Sequence, residues 1–432
     1  MKIYAEKRHS MPYYLSSISR ICFPALLALF YLNTTAIAKD VDREIELLRQ
    51  KLEQQNQRIE ELEKEQSGIK SDNSIRSFLT VGGRVQFDAL YNRPSVGGPG
   101  GGNSGDLSVW PGAVPLDSSG ERGQFNFHGR DSRIWLKSRI PTIEGYLASL
   151  IEVDFWGSSG NEKISNSHNI RLRHAYLEIG QLTMGQTNST FHGTGNPDTF
   201  VLPATDVFAR QPQIRFTQAF QSGDFRIALE QAETTLTNTS GIQLTPDDDR
   251  YPDIASRLTL RGDWGEASLS GLFREIRSDG ALVAGVEDHV WGYGLYASGR
   301  LNTFGVDNLR LGIAYGDAIG RYVAGNTYND GAIDSQGQIK LQTIVNAHIS
   351  YQHWWSDNIR SNLAYAYVHA DNDLNIVPAT VDKEAYSLHM NIIFTTVDNV
   401  LYGMEYVHAE RELENGQDGE LDRVQFRMRY DF

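Results

Sequence analysis

The last ten residues, RVQFRMRYDF (423–432), put Val424, Phe426, Met428, Tyr430 and Phe432 on alternate positions, with Arg423, Gln425, Arg427 and Arg429 between them. Successive side chains of a β-strand point to opposite faces, so this segment reads as a strand with one apolar face and one basic face. The same period recurs far upstream. In FLTVGGRVQFDALY (78–91), Leu79, Val81, Val85, Phe87, Ala89 and Tyr91 share one side, and Thr80, Arg84, Gln86 and Asp88 the other.

Between these two segments the pattern predicts further strands near 124–139, 145–156, 169–179, 181–187, 210–219, 225–235, 254–263, 266–276, 288–301, 309–316, 339–355, 359–369, 384–395 and 400–410. That makes sixteen. Their connections alternate between short turns (IPTIEG, QSGD, DWG, TFGVDN, WSDN, TVDN) and long polar loops. An even number of alternating strands with turns on one rim and loops on the other is the form of an all-β transmembrane, sixteen-stranded antiparallel outer-membrane barrel. A propeller would repeat at a fixed blade length, and a sandwich core would not leave one whole face wet. No run of eighteen apolar residues occurs, which argues against a helical membrane protein and leaves a barrel open.

The N-terminus differs. Lys2, Lys7, Arg8 and Arg20 precede the apolar run ICFPALLALFYL (21–32), and Ala36-Ile37-Ala38 offers small residues for signal-peptidase cleavage. Residues 1–38 therefore read as a secretory signal, with Met11 an alternative start. It takes the only cysteine, Cys22, so the exported chain has no disulfide or thiolate nucleophile. Residues 39–70 carry an a/d seam through Ile45, Leu48, Leu52, Gln55, Ile59, Leu62, Gln66 and Ile69, which predicts a short periplasmic α-helical coiled coil. Ile at a with Leu at d favours two strands, whereas Arg58-Ile59-Glu60-Glu61-Leu62-Glu63 resembles a short trimer signature. A homotrimer is the preferred reading, and a dimer stays open.

In a bilayer the apolar face must meet lipid, and an arginine on that face at the midplane costs roughly 2–4 kcal/mol. The arginines are thus expected to line the lumen: Arg84, Arg133, Lys137, Arg171, Arg173, Arg215, Arg226, Arg257, Arg261, Arg274, Arg300, Arg310, Arg423, Arg427 and Arg429. Inward acids are fewer, namely Asp88, Glu152, Asp154, Glu230 and Glu405, which predicts a basic lumen. The chain is nonetheless acidic, with a formal net charge of −14. Ten carboxylates fall in 245–253 and 410–422, read as solvated loop tips rather than a calcium site. A nucleic-acid partner does not fit that charge.

Inward arginines and lysine would select anions, and a guanidinium fork suits a carboxylate. Some of them will instead pair with inward acids and stiffen the wall. Arg427→Glu is expected to shift selectivity toward cations and leave folding largely intact. The uncommonly long segment NSTFHGTGNPDTFVLPATDVFAR (188–210) is expected to fold into the barrel as a constriction loop, 188–209, with an outward lid as the alternative. His192, Asp198, Asp206 and Arg210 are its ionisable members.

No enzyme motif gathers a nucleophile and a base. His168, His174, His348, His353 and His408 have no metal-ligand spacing, and GGPGGG (97–102) lacks the Lys-Ser/Thr of a phosphate loop. No cofactor and no metal are predicted.

The strand count, the long loop after the fifth strand and the terminal Phe resemble bacterial outer-membrane porins. More narrowly, a coiled coil ahead of the barrel, RLRHAYLEIG (171–180), GQTNSTF (185–191) and RQPQIRFTQ (210–218) in that order are similar to the DcaP-like porin family, over Val41–Phe432. The resemblance implies a trimeric channel for small anions, dicarboxylates above all. Asn188, where an aromatic is expected, is a departure that bears on the solute. The partners implied are outer-membrane lipid and lipopolysaccharide, together with the barrel-assembly machinery reading Tyr430 and Phe432. The alternatives are a non-selective porin and a structural protein tethering the envelope.

Overall fold

The computed structural model describes residues 46, 49–51, 53–57, 78–93, 107–116, 123–143, 145–157, 164–246, 248–278, 280 and 285–432. The chain divides into two units, Met1–Ser74 and Ile75–Phe432. In the first, residues 46, 49–51 and 53–57 are helical and exposed. The expected signal segment, 1–38, and the expected seam positions Ile45, Leu48, Leu52, Ile59, Leu62, Gln66 and Ile69 lie outside the described residues.

The second unit is a closed antiparallel barrel. Its strands are β1 (Phe78–Arg93), β2 (Gln124–His128 and Arg133–Thr142), β3 (Gly145–Asp154), β4 (Arg171–Ile179), β5 (Leu182–Asn188), β6 (Arg210–Phe220), β7 (Gly223–Glu230) and β8 (Asp253–Gly262). They continue as β9 (Gly265–Ser278), β10 (Asp288–Asn302), β11 (Asn308–Asp317), β12 (Thr343–Ser356), β13 (Ile359–Asp371), β14 (Asp382–Val397), β15 (Val400–Leu413) and β16 (Asp418–Asp431). The two parts of β2 pair in turn with β1, so the seventeen segments of the sheet make sixteen staves. Closure comes from β1 against β16, in register from Arg84↔Asp431 to Arg93↔Asp422. Gly83 and Phe432 exchange both backbone hydrogen bonds at the seam, at 2.9 and 3.0 Å. A Cβ on Gly83 would stand 2.5 Å from the Phe432 ring, so the residue must be small.

Closing the sheet leaves no unpaired edge in the hydrocarbon. The exposed apolar side chains, Val85 and Phe87 on β1, Leu269 and Phe273 on β9, Leu363 on β13 and Met428 on β16, all sit on the outward parity of their strands. Short turns use left-handed geometry where the chain reverses most tightly, as at Gly180 (φ 57°) between β4 and β5.

Several details depart from the alternation. β7 ends at Glu230, five residues before the predicted end, and the chain then enters a four-stranded loop sheet with Leu236–Thr237, Gln243–Leu244, Gly331–Ile333 and Ile339–Leu341. The predicted strand 339–355 is therefore two elements, only the second of which belongs to the wall. β15 and β16 run almost to their hairpin, so Glu410, Glu412, Glu420 and Asp422 lie on strands and not on loop tips. There the polarity of the wall inverts. Val407, Ala409 and Leu421 are buried inward, while Tyr406, His408 and Asp422 bond one another on the outer face.

The inward apolar residues are covered by loops. Phe191, Val207, Ile319, Tyr322, Val323 and Tyr328 form a buried cluster with wall residues Leu272, Tyr296 and Ile344. The fold thus has a conventional core, located inside the barrel and built by loops 189–209 and 318–342.

Candidate functional site

Loop 189–209 lies along the inner wall from β7 to β15. Ser189 Oγ and the Thr190 amide donate to Glu230 (both 2.6 Å), and the Thr194 amide donates to Ser298 Oγ (3.0 Å). Arg310 Nη1 donates to Asn196 O (2.8 Å), and Asn391 Nδ2 to Asp198 O (2.8 Å). The amides of Phe200 and Val201 donate to the buried Glu405 carboxylate at 2.7 and 3.2 Å. Glu230 and Glu405 thereby fasten the loop, because a buried carboxylate needs donors and the loop amides supply them.

The opposite wall carries the arginines, most of them paired. Arg427 Nε donates to Asp88 (2.7 Å), Arg84 and Arg133 approach Asp131 (3.6 and 3.3 Å), and Arg133 reaches Glu152 (3.5 Å). Arg173 bridges Glu152 (2.6 Å) and Asp154 (2.9 Å), and Arg171 grips Asp154 through two bonds (3.0 and 2.7 Å). Arg173 is an extra residue in β4 opposite the Glu152–Val153 step of β3. This β-bulge is why Arg171, Arg173 and His174 all face inward despite the broken period. Further round, Arg226 and Arg261 share Asp224 (both 2.7 Å), Arg300 approaches Glu266 (3.6 Å), Arg429 pairs with Asp431 (2.8 Å), and Arg423 donates to Asn92 (2.6 Å).

Arg274 corrects the sequence reading most sharply. Its guanidinium is fully buried between Asp253 (3.1 Å) and Asp330 (2.9 Å), while Tyr322 Oη donates to the other Asp253 oxygen (2.7 Å). It pins loop 318–342 to the wall and is sealed from solutes. The simple basic lumen needs the same correction, since Asp131, Asp224, Asp253 and Glu266 join the five acids foreseen.

Arg210, Arg215, Arg257 and Arg310 are among the inward arginines with no carboxylate within ion-pair distance among the described residues. Arg210, the first residue of β6, bonds Asn188 (3.3 Å) and stacks over Phe208 (4.8 Å). Arg257 donates to His192 O, and Arg310 bonds Asn308 (2.8 Å) as well as Asn196. Arg215 has a buried Nε with no hydrogen-bond partner among the described residues. Among the described residues, Lys137 on β2 likewise meets the Trp135 ring (5.4 Å) and no carboxylate within ion-pair distance. Of these groups, Arg257 and Arg310 bond the backbone of loop 189–209, and Arg210 directly follows it. His192 bonds Val207 O (2.9 Å), and burial pushes its imidazole down, so it is neutral at pH 7. Asp198 accepts from Gln352 and Arg360 (both 2.8 Å), while Asp206 has no side-chain partner among the described residues and burial pushes its carboxyl up to about 7.

Sequence reasoning missed Asp131, Asp224, Arg360 and His174. Arg360 shares its parity with the inward Asn362, opposite Leu363 and Tyr365, so alternation could have found it. Asp131 sits in the GRDS break of β2, and Asp224 follows directly on a tight turn, so periodicity carried no signal for either.

A family model described as DcaP outer membrane protein matches residues 31–432. Among solved structures, the outer membrane channel DcaP of Acinetobacter baumannii superposes with a TM-score of 0.68 at 20% identity, covering 84% of this chain and 99% of that one. The anion-selective porin of Comamonas acidovorans (TM-score 0.50, 12% identity, 83% and 100% covered) and the trimer form of OmpT from Vibrio cholerae (0.50, 9%, 82% and 99%) share the architecture. No curated protein sequence matches the chain. The closed barrel of sixteen staves, its inward loop and the match over nearly the whole length place this chain in the DcaP outer membrane protein family, channel-forming porins of the Gram-negative outer membrane.

Proposed function

We propose that the channel is a passive, anion-preferring diffusion pore for small anionic solutes such as dicarboxylates, and not an enzyme. One observation carries this reading: after the inward acids are matched to their partners among the described residues, Arg210, Arg215, Arg257, Arg310 and Lys137 are among the groups left over. Unpaired guanidinium groups in a water-filled passage attract anions and can grip a carboxylate in two-point fashion. Loop 189–209 would narrow the passage beside them.

The test is planar-bilayer conductance in a salt gradient. Reversal potentials should show anion preference, and Arg210→Glu should reduce it. A two-charge change about 8 Å from a permeating ion is worth about 1 kcal/mol in water, roughly halved by 0.1 M salt, so the anion-to-cation ratio should fall about fivefold. Cation preference in the wild type would overturn the reading. A non-selective pore is the second reading, favoured by how many arginines are neutralised, and it gives a ratio near unity.

The reading extends to the whole chain: residues 1–38 a cleaved signal, 39–70 a periplasmic coil that trimerises the barrels, and Tyr430 and Phe432 the assembly signal. Deleting 40–70 should abolish trimers on native gels with conductance retained. Loss of envelope integrity with intact trimers would instead support tethering.

A further inference from the structure

At the neck of loop 189–209, Asn188 ends β5 and Arg210 opens β6, opposite each other on the last rung between the two strands. Their backbone is held on both sides: the Ser189 amide donates to Ala209 O (2.9 Å) and Gln213 Nε2 to Asn188 O (2.9 Å). From this fixed frame Asn188 Oδ1 accepts from Arg210 Nε (3.3 Å), and the Phe208 ring lies 4.8 Å from the guanidinium. One edge and one face of that planar group are thereby set.

A guanidinium can meet a carboxylate along the edge that carries Nε or along the edge formed by Nη1 and Nη2. Arg171 and Arg173 spend the first on wall acids, through Nε to Asp154 (3.0 Å) and Glu152 (2.6 Å), with a further Nη on Asp154 (2.7 and 2.9 Å). Arg210 does the reverse. Asn188 takes its Nε, and Nη1 and Nη2 have no hydrogen-bond partner among the described residues. The type of acceptor matters as much as its place. An amide oxygen orients the guanidinium and leaves its charge intact, whereas an aspartate there would form an ion pair and cancel it. Arg133, Arg171, Arg173 and Asp154 are within electrostatic reach, and Asp154 is already shared by Arg171 and Arg173, so the positive charge of Arg210 stays available.

We propose that Asn188 is a positioning residue that presents the Nη1 and Nη2 edge of Arg210 as a two-point subsite for a carboxylate, so that the pore ranks carboxylates above spherical anions of the halide type. The proposal rests on the anion-preferring reading above and adds a residue and a shape criterion to it. A chloride meets the fork through one centre. The two oxygens of a carboxylate match both Nη groups at once, and that match is strongest when the guanidinium is already oriented.

The experiment measures two quantities on the full-length channel in planar bilayers: the half-blocking concentration of succinate against the chloride current, and the reversal potential in a KCl gradient. Asn188→Ala should raise the half-blocking concentration about threefold, near the low end of what one hydrogen bond contributes. Asn188→Asp should also lower the anion-to-cation ratio about twofold, because it cancels one charge where Arg210→Glu changes two. Arg210→Lys keeps the charge without the fork, so it should weaken block by itself, and adding Asn188→Ala to it should have no further effect. A wild-type pore with no anion preference would sink the anion reading and this proposal together. With anion preference present, unchanged succinate block in Asn188→Ala, or an undiminished Asn188→Ala effect in the Arg210→Lys background, would overturn the positioning role alone.

Discussion

Reversing the charge at Arg427 separates the two roles that an inward arginine can play. From alternation alone, Arg427→Glu is a selectivity variant. In the structure, Arg427 Nε lies 2.7 Å from Asp88, whose side chain has no exposure, and Arg427 itself is 11% exposed. Removing one member of a buried pair costs about 3–5 kcal/mol, and a carboxylate placed ~4 Å from Asp88 adds repulsion of order 4 kcal/mol at an effective dielectric of 20. Gln86 and Gln425 still donate to Asp88 (2.6 and 2.8 Å), which offsets part of this. A net loss of about 3–5 kcal/mol is expected. Guanidinium unfolding of the detergent-folded barrel, followed by tryptophan fluorescence, measures it. The double variant Asp88→Asn with Arg427→Gln, which removes both charges, should stay within about 1 kcal/mol of wild type. An unchanged midpoint for Arg427→Glu alongside a shifted reversal potential would refute the pairing argument and restore Arg427 to the ion path.

Two further outcomes follow from the loops. Arg274→Met leaves Asp253 and Asp330 buried and facing each other, so it should cost about 3–5 kcal/mol and speed amide exchange across 318–342; protection equal to wild type would count against the pin. Asp206 is held near 7, above its unfolded value of ~3.9, so its ionisation penalises the folded loop as pH rises through that window. Lowering the pH from 8 to 6 should therefore stabilise the loop and raise anion preference, and Asp206→Asn should flatten that step in reversal potential.

The wall was legible because lipid imposes a simple rule. Leu79, Val81, Val85 and Phe87 must face out whatever their neighbours are, and that constraint repeats on every stave, so count and order could be read directly. The interior obeys no such rule. Whether Arg210 is free and Arg173 paired depends on which acid the next strand brings alongside, and that is a matter of register, not of period. Arg173 also shows how one extra residue in β4 resets parity, a shift that residues alone do not announce. The loop core was illegible for another reason: Phe191, Ile319 and Tyr328 come from segments far apart in the chain, with no shared periodicity to mark them as partners.

The seam between Gly83 and Phe432 sets an order in time. The first strand cannot be completed until the last residue has been made, because its partner edge is the chain's final segment, and the Arg427–Asp88 contact alone closes a separation of 339 residues. Contacts that distant form slowly, so a nascent chain must hold two raw edges apart from other chains throughout synthesis and export. A truncation that removed most of β16 would thus yield an open sheet, a species prone to pair with its neighbours.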